Sequence, residues 1–278
     1  MKNGELISEL FRLPVRDIEE IAPGTALILA PHPDDESLGC GGFIAEAVAR
    51  GRPPVVVIVS DGSGSHPASR EWPEERLTQQ REKEAREAAR ILGLPSERLY
   101  FLGLRDTAVP TEGPEFRSTV DRLAELALHY DCNTLLVPWR HDPHCDHEAV
   151  WLMGKVLKAM LPHLRLLAYP VWGLTLPSDG VLDQPFPAGW RLDIGAHLAT
   201  KRHAVEAHES QRGLVIQDHA RRLLGVGAHD GLAIDAHLVV RGHALANMGR
   251  LAVDRHAAGD DQLFHLAARA DAGVGQQL

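Results

Sequence analysis

Five consecutive apolar residues, Val55-Val56-Val57-Ile58-Val59, set the strongest limit on how this chain can fold. A strand with one wet face alternates apolar and polar residues; this one does not, so both of its faces must be covered. That is the condition of a parallel sheet with helices on each side. Comparable runs lie at Thr25 to Ala30, Leu99 to Gly103, Asn133 to Trp139 and Leu164 to Trp172. Segments of helical periodicity fall between them. Gly39 to Arg50 puts Phe43, Ile44, Ala47 and Val48 on one face, and further helices are expected over Glu74 to Leu92, Pro114 to Tyr130 and Asp146 to Leu161. Another is expected from Leu198 to Glu209. The alternation predicts an α/β fold, a Rossmann-like doubly wound and mainly parallel sheet in three αβα layers, with a less regular C-terminal region.

Two polar clusters follow two of the strands. Pro31-His32-Pro33-Asp34-Asp35-Glu36 leaves the first, and His144-Cys145-Asp146-His147 comes after Asn133 to Trp139. In an open α/β sheet such strand ends converge on one crevice, where ligands bind. His32 and Asp35, three residues apart in one turn, with His147 from the other cluster, form a set of two histidines and one carboxylate. Such a set holds a divalent metal with positions left open, which suits Zn²⁺ hydrolysis and also occurs with Fe²⁺. Asp34 is then spare and is the candidate general base toward the attacking water. His144 is a candidate to stabilise an oxyanion or to protonate a leaving amine. Asp146 reads equally as an orienter of one imidazole or as a helix N-cap. Glu36 reads as a salt bridge or cap. The Gly/Ser/Pro-rich loop from Asp61 to Pro73 leaves a strand end and should overhang the same crevice.

The formal net charge of -9 over 278 residues, with no basic stripe, argues against nucleic acid as a partner. No apolar run approaches the length of a membrane span, and the N-terminus lacks a signal-peptide core. Cys40, Cys132 and Cys145 are odd in number and form no CxxC pair, so no disulfide framework is expected. The expectation is a soluble, cytoplasmic protein. Nine histidines from His197 to His265 match no metal spacing and read as scattered surface and helix residues. Trp72, Trp139 and Trp172 are candidates to stack on a ligand ring, and Cys145 reads as a packing residue.

The two clusters resemble the paired signatures of the PIG-L/LmbE-like family of zinc-dependent N-acetylglucosamine deacetylases. The resemblance extends to Val59-Ser60-Asp61-Gly62, Arg81, Glu84, Leu92-Gly93, Asp106, Lys201 and His208-Glu209-Ser210-Gln211, over about residues 24 to 211. Pro31 and Cys145 depart from the commoner residues at their positions. The family implies one Zn²⁺ held by His32, Asp35 and His147, with Asp34 as base and His144 as transition-state stabiliser. It implies Arg81 and Asp106 as residues that hold sugar hydroxyls. The substrate class it implies is a small N-acetylated sugar conjugate, and it allows a homo-oligomer, the form members often take. Other readings stay open: an amidase on a different bond of a sugar or thiol-sugar conjugate, or a non-catalytic zinc- or glycan-binding protein. The implied organisation is a lead-in over 1–23, a catalytic domain over 24–225 and a C-terminal extension over 226–278.

Overall fold

In the computed structural model, six strands form one sheet in the order β3-β2-β1-β4-β5-β8. The structure describes residues 1–182, 188–211, 234–235 and 240–241. The strands are β1 (Thr25–Ala30), β2 (Val55–Ser60), β3 (Leu99–Leu104), β4 (Cys132–Pro138), β5 (Arg165–Tyr169) and the short β8 (Val240–Arg241). The first five run parallel, and β8 pairs antiparallel to β5. A separate pair joins β6 (Leu192–Asp193) to β7 (Ile234–Asp235). The expected doubly wound sheet is therefore present. The expected boundary at 225/226 lies outside the described residues, and of the extension over 226–278 the described residues are those of β7 and β8.

The unbroken apolar run of β2 is buried along its whole length, and its alternate residues serve two cores. Val56 and Ile58, with Ala26, Ile28 and Leu136, face a layer made by α3 (Asp35–Ala49), α4 (Glu74–Ile91) and α7 (Leu198–Glu206). Val55, Val57 and Val59, with Leu27, Leu29 and Leu135, face α5 (Gly113–His129) and α6 (Cys145–Met160). Period-two side-chain alternation with helices on both faces is what removes polar residues from these strands.

Most elements fall within a few residues of their expected bounds. The largest shift is at α3, which begins at Asp35 rather than Gly39. The Asp34 carbonyl accepts the N–H groups of Ser37 and Leu38, and the acids Asp35 and Glu36 occupy the first turn, where the helix dipole favours them. The residues before Thr25 carry α1 (Asn3–Arg12) and α2 (Ile18–Ile21), for which the sequence reading had no helix. Leu6 and Leu10 of α1 pack with Trp139 and Ala168, and Ile18 and Ile21 of α2 join the α3 core. No described helix is long and apolar enough to cross a membrane.

Helix α3 lies close against the sheet at Gly39, where a Cβ would stand 2.4 Å from Tyr169 Cδ2. Tyr169 cannot retreat, because it is fully buried and its hydroxyl donates to the Leu29 carbonyl at 2.7 Å. Gly39→Ala should therefore destabilise the fold by about 1–3 kcal/mol through overpacking. Ala's better helix propensity, about 1 kcal/mol, does not rescue it. Urea denaturation checks this; a stability equal to or above wild type would contradict the close approach.

Candidate metal and catalytic site

The order of the sheet reverses between β1 and β4, the neighbours at its centre, and both polar clusters leave the carboxyl ends of these two strands. Their side chains meet there. One oxygen, Asp35 Oδ2, lies 3.0 Å from His32 Nδ1 and 3.2 Å from His147 Nε2, and accepts the His32 backbone N–H at 2.9 Å. All three residues are buried. The histidine rings are 5.3 Å apart between centroids.

Each imidazole is held from its far side by a further carboxylate. His147 Nδ1 lies 3.0 Å from Asp142 Oδ2. The remaining capacity of Asp142 is filled by the N–H groups of Val171 and Gly173, so it is a fixed acceptor. With Nδ1 turned to Asp142, His147 Nε2 is the nitrogen that faces Asp35, and it is buried without a hydrogen bond. His32 Nε2 in turn lies 3.2 Å from Asp146 Oδ2 and 3.3 Å from Asp106 Oδ1. Asp146 also accepts the N–H groups of Thr107 and Val109. It does not act as the N-cap of α6: that position belongs to His144, whose Nδ1 accepts the Asp146 N–H at 3.2 Å. Of the two readings of Asp146, the geometry matches the orienter of an imidazole.

Electrostatics asks for positive charge at this point. Burial works against a charge on His32, but Asp106, Asp146 and Asp35 outweigh it and hold its pKa well above the ordinary imidazole value. Burial likewise opposes a charge on His147, yet Asp35 and Asp142 raise its pKa to about 9. Burial alone would raise Asp35, but the two histidines hold it well below the usual carboxylate range. A divalent cation can replace those protons, since metal ligands bind deprotonated and release protons as they do so. His32, Asp35 and His147 form one of two donor groups close enough to share an ion among the described residues. His32, Asp106, His144 and Asp146 form the other. The first fits a cation better, because it contains the unsatisfied Nε2 of His147 and its histidines have carboxylates behind them.

Asp34 sits beside this set without belonging to it. It precedes α3 but its side chain makes no cap, and its φ of 143° is one that L residues rarely adopt. The peptide joining it to Pro33 is gripped at both ends. Arg81 Nη2 donates to the Pro33 carbonyl at 2.8 Å, and the Asp34 N–H donates to Glu36 Oε2 at 2.9 Å. The same Arg81 nitrogen lies 3.1 Å from Asp34 Oδ2. Burial raises the Asp34 pKa, Arg81 lowers it and Asp35 raises it again, leaving it at about 6. His144 moves the other way: burial and then the neighbouring His32 and His147 lower its pKa. Its accepting Nδ1 and lowered pKa agree on a neutral ring with a proton on Nε2.

Arg81 and Asp106 are both buried, 4.0 Å apart, and already engaged. Arg81 Nη1 donates to the Gly62 carbonyl, and Asp106 Oδ2 accepts the Gly64 N–H, so both also shape the loop after β2. Glu36 is the bridging acid it was read to be, bonded to His208. His208 itself corrects the reading of the late histidines as surface and helix residues: it is completely buried. Cys145 is exposed rather than packed. Trp139 is buried and unavailable for stacking; Trp72 is half-buried, with Arg76 over its ring at 4.8 Å. Asp142 has no role in the sequence reading, because two of its contacts, to the N–H groups of Val171 and Gly173, are remote in the chain.

A family model described as "PIG-L: GlcNAc-PI de-N-acetylase" matches residues 27–157, which contain both clusters. The diacetylchitobiose deacetylase of Thermococcus kodakarensis is 30% identical over 211 residues, 71% of this chain and 72% of the relative. A probable N-acetyl-α-D-glucosaminyl L-malate deacetylase 2 of Bacillus anthracis is 28% identical over 192 residues, 66% of this chain and 80% of the relative. Among solved structures, an N,N′-diacetylchitobiose deacetylase from Pyrococcus horikoshii shares the fold with a TM-score of 0.57, at 22% identity over 80% of this chain and 82% of that one.

Asp142 offers a test that needs no metal. Asp142→Ala would leave the buried N–H groups of Val171 and Gly173 and the Nδ1–H of His147 without an acceptor, each orphan costing about 1–3 kcal/mol. Denaturation with a chelator present should show a loss of at least about 2 kcal/mol. A loss under about 0.5 kcal/mol, the ordinary scale of a surface substitution, would contradict the assigned contacts.

Proposed function

The chain belongs to the PIG-L family, and from that premise we propose how its residues carry out the reaction. It is a hydrolase that removes the acetyl group from an N-acetylated sugar conjugate of the N-acetylglucosamine type. The observation that carries the mechanism is the buried convergence of His32, Asp35 and His147 with the spare, strained Asp34 beside them.

We assign His32, Asp35 and His147 as the ligands of one Zn²⁺, which when bound would polarise the acetyl carbonyl and make a water more acidic. Asp142 and Asp146 hold the two imidazoles in the tautomers that ligation needs. Asp34 takes a proton from the attacking water, whose oxygen forms a bond to the acetyl carbon. His144 donates its Nε2–H to the carbonyl oxygen as negative charge develops there. Its lowered pKa favours this neutral donor role over that of an acid toward the amine. The C–N bond then breaks, Asp34 returns the proton to the departing nitrogen, and the free amine leaves with acetic acid, which ionises to acetate by losing its proton to solvent. Arg81 holds the Asp34 carboxylate in place. Arg81 and Asp106 are our candidates to hold a sugar hydroxyl. The spare Asp34 argues against a purely structural or glycan-binding use of the metal, because a structural site closes with four protein ligands and has no use for a base. We place the enzyme in the cytoplasm, where the free, exposed Cys145 would remain reduced.

Acetate release from a panel of N-acetylglucosamine conjugates tests this reading, with activity expected to vanish with a chelator and return with Zn²⁺. Release from none of them, or release that ignores the chelator, would overturn it. His147→Ala should lose most of its bound metal, and full occupancy would mean the ligands are misassigned.

Asp34→Asn should keep its metal while kcat falls by roughly 10²–10⁴, the worth of a positioned base. Asp34 works ionised, so in wild type kcat/KM should fall as the pH drops through about 6 or somewhat below, the cation drawing the value down. An acid limb unchanged in position in the Asp34→Asn residual activity would assign it to another group.

A further inference from the structure

Four residues after α7, His208-Glu209-Ser210-Gln211, reach into the catalytic loop from a distant part of the chain. His208 is completely buried and its Nε2 lies 3.1 Å from Glu36 Oε1. Glu36 is also buried, and its two oxygens are divided between two tasks. Oε1 accepts from His208 and, at 2.7 Å, from the Ser37 hydroxyl, while Oε2 accepts the Asp34 N–H at 2.9 Å. Ser210, two residues on, donates both its N–H and its hydroxyl to Glu84, at 2.9 and 2.7 Å. Glu84 is one helical turn beyond Arg81 on α4, so the turn grips both elements that meet at the Pro33–Asp34 peptide.

That peptide has no freedom to relax. Asp34 is in a backbone region that costs a non-glycine residue about 1–3 kcal/mol and persists only where its surroundings over-determine it. Arg81 holds the carbonyl end and Glu36 the N–H end. A carboxylate buried beside Asp34 and Asp35 needs a donor of its own to keep its place, and His208 is the donor that comes from outside the loop.

We propose that His208 is a positioning residue for Asp34, acting through Glu36 to fix the strained peptide that aims the base. This rests on the reading of Asp34 as the base. The hydrogen-bond partners of His208 Nε2 are Glu36 and, at 3.4 Å, the Ser37 hydroxyl, neither of them an assigned metal ligand.

The test uses the full-length, zinc-loaded enzyme and its His208→Leu, His208→Gln and Glu36→Gln variants. Gln can place an N–H near the position of Nε2, and Leu cannot. kcat and KM for acetate release are measured with bound zinc and with the Asp34 amide proton shift, which reports its bond to Glu36. His208→Leu should lower kcat roughly 10- to 100-fold, the scale of a small misplacement at a reacting group. KM and bound zinc should stay within about twofold, a change worth under 0.5 kcal/mol. The Asp34 amide should move in His208→Leu and return in His208→Gln, with most of kcat recovered. Adding His208→Leu to Glu36→Gln should cost little more, because both act through one contact. Unchanged kcat, parallel loss of kcat and zinc, or additive effects would overturn the proposal. Should His208→Leu not fold, His208→Asn, too short to reach Glu36, takes its place with the same outcomes. If wild type releases no acetate, it is the functional reading that has failed. The amide shift then decides the coupling alone: movement with recovery in Gln supports it, and an unmoved resonance overturns it.

Discussion

The oxygen Asp35 Oδ2 collects the His32 backbone N–H, the His32 ring and the His147 ring within 3.2 Å, and the rest of the structure is arranged around that meeting. It joins two loops that are far apart in sequence and adjacent only because β1 and β4 are neighbours. Strand pairing such as Ile28 with Leu136 sets the separation of the two clusters, and the helices on each face bury the strands that do so. Site geometry and core packing are thus one problem. A shift of α3 against Tyr169 would also shift Asp35, the first residue of that helix.

Charge explains why so many carboxylates can be buried together. Asp34, Asp35, Glu36, Asp106, Asp142 and Asp146 all lie beneath the surface within this region. Isolated buried carboxylates would take up protons. Here each is answered: Asp35 by two imidazoles, Asp142 and Asp146 by backbone N–H groups as well as an imidazole, Asp106 by His32 and the Gly64 N–H, Glu36 by His208, and Asp34 by Arg81. The exception is instructive. Burial outweighs the help Asp34 receives from Arg81 and raises its pKa to about 6, where a general base is useful.

Much of this was legible in the sequence. The unbroken run of β2 implied a sheet covered on both faces, and the paired clusters after two strands implied a shared crevice. His32, Asp35 and His147 do converge, and Asp34 does stand apart from them. What stayed hidden depends on long-range contact. Nothing local in Asp142-Pro143-His144 says that the acid turns back to His147 while accepting two N–H groups from the segment after β5. The pairing of His208 with Glu36 spans 172 positions, and composition alone made His208 one of many late histidines. The start of α3 was missed because its first turn is polar, so that helical periodicity begins only farther along.

We assign the cation to His32, Asp35 and His147 and not to the neighbouring donors around the other face of His32. Crystals of the zinc-loaded protein, measured on both sides of the zinc absorption edge, decide between them. One anomalous peak is expected, within about 2.0–2.2 Å of a His32 nitrogen, an Asp35 oxygen and His147 Nε2. A peak ligated instead by His32, Asp106, His144 and Asp146, with His147 Nε2 left unligated, would contradict it.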